Sequence, residues 1–242
     1  MAFVLTIVQI EEALKQPGCA ICRLHEKAVH KSAEGFLYEN TLNAAAREPV
    51  LKARGFCPEH TRLVAALELS KDGSTLGINN IYEELARTVV KELSDAAKPR
   101  SKGTLSSRLK TRGKRSALPP CPLCTLGEES AENYLCAMFE ELDAEDSATR
   151  TIYESSDGLC YPHLRAGLEH LAGKHPHAAG FVAEQAQRRL AVNADLMHEY
   201  IRKHDWHYRE EKISQEELNA WRATLSFFTG LPASKFTYKH EE

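Results

Sequence analysis

One thiol and imidazole pattern occurs twice in this chain, and it constrains the fold more than any other feature. Cys19-x-x-Cys22 is followed by Cys57-x-x-His60, and Cys121-x-x-Cys124 by Cys160-x-x-His163. Between Cys22 and Cys57 lie 34 residues, and between Cys124 and Cys160 lie 35. Each copy supplies three sulfurs and one imidazole, the full donor set of a closed tetrahedral zinc site. Six of the seven cysteines are used this way. An odd cysteine count and the paired spacing argue against a secreted disulfide framework, and thiolates that bind metal must stay reduced, which points to the cytoplasm.

The repeat is wider than the ligands. At an offset of 102 residues Leu24 falls on Leu126, Glu26 on Glu128 and Glu39 on Glu141. After a one-residue insertion, Gly55 falls on Gly158, Arg62 on Arg165 and Gly77 on Gly180. A shared register of this length implies two copies of one supersecondary unit, expected in a pseudo-twofold arrangement. Residues 1–97 are read as the first helical metal-binding repeat and 121–242 as the second, which carries an additional C-terminal helix.

Charge separates the two. Residues 98–120 hold 8 Lys/Arg and no acidic residue, with Pro99, Gly103, Gly113, Pro119 and Pro120 among them. That composition predicts a flexible basic linker. The linker offers a route to nucleic acid, but residues 121–242 carry 12 basic and 21 acidic residues, so the chain would repel phosphate and a protein partner is favoured. No apolar stretch approaches the roughly 20 residues that span a bilayer. The run Ala2 to Ile10 lacks a basic flank and a cleavage site, so it is not read as a signal peptide.

Outside the linker the pattern is helical, without the alternating β-branched residues of a sheet. Thr6 and Gln9 read as a capping box before Ile7, Ile10 and Leu14. Further helices are expected from Cys22 through Leu37, over Val50 to Ala53, from His60 to Leu67 and from Ile78 to Leu93. The second half repeats the order: Tyr134 to Leu142, Leu164 to Leu171 and Ala178 to Asp205. A last helix, from Gln215 to Phe228, is capped by Ser214 with Glu217. Both Cys-x-x-Cys and both Cys-x-x-His pairs open helices, whose N-terminal N–H groups favour thiolates. Gly55 and Gly158 supply the sharp turns before them. Pairing of the ligands within each half is the simplest arrangement; a swapped pairing has the same ligand count.

At these motifs the sequence resembles an uncharacterised prokaryotic family, a domain of unknown function. That family has tandem Cys-Pro-x-Cys and Gly-Phe-Cys-x-x-His motifs and an Arg-Lys-His-Asp-Tyr-like stretch near its end. The matching residues here are Cys121-Pro122-Leu123-Cys124, Gly55-Phe56-Cys57-Pro58-Glu59-His60 and Arg202-Lys203-His204-Asp205-Trp206. Ala20 and Leu159 depart from the pattern without removing a ligand. The resemblance implies an all-helical metal-binding protein and brings no activity with it.

Three functions follow. The first is a non-enzymatic interaction or regulatory module with two structural zinc ions, because closed four-ligand sites leave no position for substrate. The second is an iron–sulfur or redox-metal protein. The third is an enzyme or ligand-binding protein that uses residues 199–209. There His204 and His207 stand three apart, near Asp205 and Arg209, and a helix would place the two imidazoles on one face. Cys136 is read as a core residue among Leu135, Met138 and Phe139, and His170, His175 and His177 as loop residues.

Overall fold

The computed structural model describes residues 2–70, 75–97 and 117–236. They form ten α-helices and no strand. After α1 (Ala2–Leu14), the first repeat contributes α2 (Ala20–Gly35), α3 (Ala44–Lys52), α4 (Pro58–Ser70) and α5 (Leu76–Ala97). The second contributes α6 (Pro122–Asp143), α7 (Ala148–Ser155), α8 (Tyr161–His170) and α9 (Pro176–Lys203), followed by α10 (Gln215–Thr229). The order long, short, short, long occurs twice. Most of the predicted linker, 98–116, lies outside the described residues, and Ala117 to Pro120 are exposed and irregular.

Local chemistry sets the helix ends. Asn43 accepts hydrogen bonds from the N–H groups of Ala45 and Ala46, so α3 starts six residues earlier than the apolar pattern at Val50 suggests. Ser214 and Glu217 form the expected reciprocal capping box. Thr6 does not cap α1: the helix already begins at Ala2 and Thr6 lies inside it. A threonine can head a helix or sit within one, and the good helix formers on both sides extend the helix past it.

The chain divides into two compact units, Met1–Lys27 with Glu128–Glu242, and Ala28–Gly127. These units cut across the sequence halves, since the boundaries fall inside α2 and inside α6. In the first unit, Ile10 and Leu14 of α1 and Ile21 and Leu24 of α2 join Leu135, Met138, Phe139 and Leu142 of α6 in one core. Gly167 lets α8 approach the Phe139 ring so closely that a Cβ there would come within 2.3 Å of it. Lys203 and Glu217 form a largely buried ion pair at 2.6 Å, and the ammonium holds the Glu217 carboxyl below its usual range.

Tyr153 is fully buried in this core, and its hydroxyl accepts the N–H of Leu159 at 3.2 Å. Burial pushes the phenol up to about 12. We expect Tyr153→Phe to cost about 1–3 kcal/mol in denaturant unfolding, because a buried N–H loses its acceptor. Unchanged stability would show that the Leu159 N–H finds another acceptor.

In the second unit, Val29 and Ala33 of α2 and Leu37 of the π-helical turn Phe36–Asn40 that follows it pack with Val64 and Leu67 of α4 and with Leu123. A smaller cluster joins Val50, Ile81 and Leu85. The buried carboxylate of Glu68 accepts the N–H groups of Gly77 and Ile78, satisfying the N-terminus of α5. Phe36 and Phe56 meet edge to face at 5.6 Å and hold the turn before Cys57 against the π-helical turn that follows α2.

Cys136 is exposed, contrary to the reading of it as core. Around it α6 buries Ala131, Leu135, Ala137, Met138, Phe139 and Leu142, whereas the step of about 100° from Leu135 turns the Cys136 side chain toward solvent.

Candidate metal centres

All eight ligand candidates open helices, as their spacing indicates. Cys19 and Cys121 stand just before α2 and α6, and Cys22 and Cys124 lie in the first turns. Cys57 precedes α4, Cys160 is the N-cap of α8, and each histidine follows three residues on. The backbone before three of these motifs turns through left-handed conformations: Gly18 has φ +88°, Gly55 +106° and Gly158 +75°. The Gly18 N–H donates to Asp157 Oδ2 at 2.6 Å, tying the first Cys-x-x-Cys to the turn that carries Cys160.

The structure gathers the eight residues into two clusters, and each cluster draws on both repeats. Cys19 and Cys22 meet Cys160 and His163; Cys121 and Cys124 meet Cys57 and His60. Of the two arrangements open to the sequence, the structure therefore has the swapped one. Compactness decides it. Residues 1–27 belong to the unit that contains Cys160 and His163, and residues up to 127 belong to the unit that contains Cys57 and His60. Each donor set lies wholly inside one unit.

The donor geometry suits a single ion. A regular tetrahedron with Zn–S of about 2.3 Å and Zn–N of about 2.05 Å has S···S edges of about 3.8 Å and S···N edges of about 3.5 Å. In the first cluster His163 Nδ1 lies 3.6, 3.4 and 3.2 Å from the sulfurs of Cys19, Cys22 and Cys160. Cys22 and Cys160 are 3.6 Å apart. In the second, His60 Nδ1 lies 3.4 Å from each of the sulfurs of Cys57, Cys121 and Cys124. Cys57 and Cys124 are 3.8 Å apart. Within each cluster all donor atoms lie within 4.8 Å of one another, so both are capable of holding a metal ion.

The clustered thiols and imidazoles share protons unevenly. The neighbouring thiols of Cys160 and Cys22 hold Cys19 well below its ordinary value, while Cys22 is pushed up by Cys160 and Cys19. Burial opposes the charged form of His163, but the sulfurs of Cys160 and Cys19 outweigh it and raise the imidazole to about 10. Burial likewise opposes the Cys57 thiolate, yet the His60 N–H and the Cys124 sulfur bring its thiol down. Burial and then Cys57 push Cys124 up to about 12. A bound cation displaces these protons, so metal affinity rises with pH.

Gly230 is a site residue that the motifs do not announce. It ends α10 in the left-handed conformation, with φ +79°. A Cβ there would lie 2.4 Å from Cys22 Sγ and 3.4 Å from Cys160 Sγ. The end of α10 thus covers the first cluster, and Pro232 packs on Gly18. Only the helix-stop composition of Thr229-Gly230-Leu231-Pro232 hints at this position. Gly230→Ala is expected to cost about 1–3 kcal/mol from backbone strain and overpacking and to weaken metal retention at this cluster alone. Equal chelator resistance of the two sites in that variant would contradict the role.

The other candidates do not converge. α9 ends at Lys203, so His204 and His207 do not share a helix face. His204 Nδ1 turns back to the Tyr200 carbonyl at 2.7 Å, and Asp205 caps the short turn Trp206–Tyr208 while pairing with His207 at 2.8 Å. His204, Asp205, His207 and Arg209 are all exposed. His175 and His177 face Asp143 and Glu145 at 4.0 and 3.4 Å, and neither joins a donor cluster.

No helix among the described residues is long and apolar enough to cross a membrane. The chain is 23% identical over 219 residues to an uncharacterised 23.9 kDa protein in the xynA 3' region of Caldicellulosiruptor sp. (strain Rt8B.4), covering 90% of this chain and 98% of that protein. No solved structure matches the chain. The sequence profile of a family of unknown function, DUF6062, matches residues 1–231, from before the first Cys-x-x-Cys to just past Gly230. An all-helical chain with two Cys3His clusters, matched along almost its whole length, belongs to the DUF6062 family.

Proposed function

We propose that the protein is a non-enzymatic interaction or regulatory module held together by two structural zinc ions, one in each Cys3His cluster. The observation that carries this reading is the match between the donor spacings and the edges of a zinc tetrahedron. Cys19, Cys22, Cys160 and His163 would hold one ion, and Cys57, His60, Cys121 and Cys124 the other. Bound there, zinc cross-links segments distant in sequence and adds its binding free energy to folding. Four protein donors complete its coordination, which supports a structural role over a catalytic one. Donors this close together enclose one ion and leave no room for a multi-iron cage between them, which speaks against an iron–sulfur cluster.

The reciprocal exchange of Cys-x-x-Cys segments supports a pseudo-twofold relation between the repeats 1–97 and 121–242, with 98–120 as a basic tether. A cytoplasmic location follows from the need to keep six thiols reduced, and a protein partner from the acidic balance of the chain. Exposure of His204, Asp205, His207 and Arg209 gives no support to an enzyme site at 199–209.

The test is metal analysis and a visible spectrum of untagged protein purified without oxygen. Two zinc per chain and no colour are expected. Iron with acid-labile sulfide, or less than one metal per chain, would overturn the reading.

A further inference from the structure

Two cysteine pairs hold an identical place in the two clusters. Cys22 Sγ lies 3.6 Å from Cys160 Sγ, and Cys124 Sγ lies 3.8 Å from Cys57 Sγ. The repeat register maps one pair onto the other: Cys22 corresponds to Cys124 and Cys160 to Cys57. Each pair therefore joins the second cysteine of one repeat's Cys-x-x-Cys to the cysteine of the other repeat's Cys-x-x-His. Both distances exceed a disulfide bond of about 2.05 Å by less than 2 Å, a gap that side-chain rotation closes.

Access differs within the first pair. Cys160 is buried, whereas Cys22 is half-buried. Gly230 closes against both sulfurs on one side, where a Cβ would overlap Cys22 Sγ. A cavity of about 400 Å³ between the 156–160 turn, α9 and α10 has Cys19 and Cys160 in its wall, with Arg189 and Phe227 opposite. The cavity opens onto Cys160, and Cys22, Cys57 and Cys124 are each half-buried, so a small oxidant reaches both pairs without unfolding.

We propose that the clusters are also oxidation sites, in which a hydroperoxide closes Cys22 onto Cys160 and Cys57 onto Cys124, expels the metal and joins the two repeats covalently. The inference rests on the metal reading for the expulsion and, for the pairing, on the 3.6 and 3.8 Å distances and on exposure: Cys22 and Cys124 are half-buried, whereas Cys19 and Cys121 are buried. The Cys22 thiolate attacks a peroxide oxygen and the O–O bond breaks, giving a sulfenic acid and, from hydrogen peroxide, hydroxide. The Cys160 thiolate then attacks the Cys22 sulfur, the S–S bond forms and a second hydroxide leaves. Two thiolates lose two electrons in all, and the peroxide gains them. With two of its four ligands consumed, the tetrahedron opens and the cation departs. Zinc restrains the thiolates until an oxidant arrives, and reduction by a dithiol reverses the bond.

The experiment uses the unmodified full chain, with metal content measured first. Protein is treated with hydrogen peroxide, free thiols are alkylated, and tryptic peptides are analysed by tandem mass spectrometry. A zinc-responsive dye follows release in parallel. The expected products are peptide 16–23 linked to 151–165 and peptide 55–62 linked to 116–150, fragmenting to Cys22–Cys160 and Cys57–Cys124. Dye response should reach two zinc per chain as four thiols disappear, and dithiothreitol with added zinc should restore both. Disulfides within Cys19–Cys22 or Cys121–Cys124, sulfinic acids in place of disulfides, or thiols that resist oxidation with metal still bound would each overturn the proposal. Cross-linked peptides from protein that never held metal would instead retire the metal reading while the pairing stood.

Discussion

Cys160→Ser is expected to release one of two metals and to loosen residues 18–26, which lie in the opposite sequence half. Serine is a poor zinc ligand, and three remaining donors do not close a tetrahedron. Structural zinc contributes an apparent 10–16 kcal/mol or so in zinc-finger peptides, comparable with the whole stability of an ordinary domain at about 5–15 kcal/mol. The first unit has its own apolar core, including Ile10, Leu135 and Phe139, so the loss should appear as local opening and a large drop in melting temperature before global unfolding. Hydrogen exchange locates it. Protection should fall at the start of α2 and the start of α8, while His60 and its neighbours keep theirs, because the second cluster takes no ligand from Cys160. Loss confined to residues near 160, or full metal retention with unchanged melting, would remove the cross-repeat site.

The second large effect concerns a cut chain. After proteolytic cleavage within residues 98–116, both metals should stay bound and the two pieces should travel together as a one-to-one complex. Each candidate cluster draws on both pieces: Cys19 and Cys22 on one with Cys160 and His163 on the other, and the reverse for the second site. Stripping the metal should then weaken the association at least about 1,000-fold, equivalent to about 4 kcal/mol. Native mass spectrometry before and after chelation reads both quantities. Separate pieces carrying one metal each would show that the ligands close within repeats.

These experiments address the part of the molecule that the sequence left open. Every candidate ligand was legible, because Cys-x-x-Cys and Cys-x-x-His spacings fit the first turn of a helix and recur in register. The pairing was not legible. Both gaps between the motif pairs are of nearly equal length, so swapped and unswapped closures make the same demands on local sequence. Local signals also misled where two readings share one pattern. Thr6 and Gln9 satisfy a capping box, yet the helix runs through them. Cys136 sits beside core residues in sequence but on the solvent side of α6. His204 and His207 have a ligand's spacing only while the helix continues, and it stops at Lys203.

By itself, then, the sequence determined the helical class, the duplicated order of helices, the Ser214 cap and the eight candidate donors. Each of these rests on contacts within a few residues, or on a repeat that can be read along the chain. Only the tertiary structure decided which sulfurs meet, and that Gly230 closes over the first cluster. Those outcomes depend on burying α1 and the start of α2 against α6 to α8 in one core, a comparison of apolar surfaces more than 100 residues apart that no local pattern records.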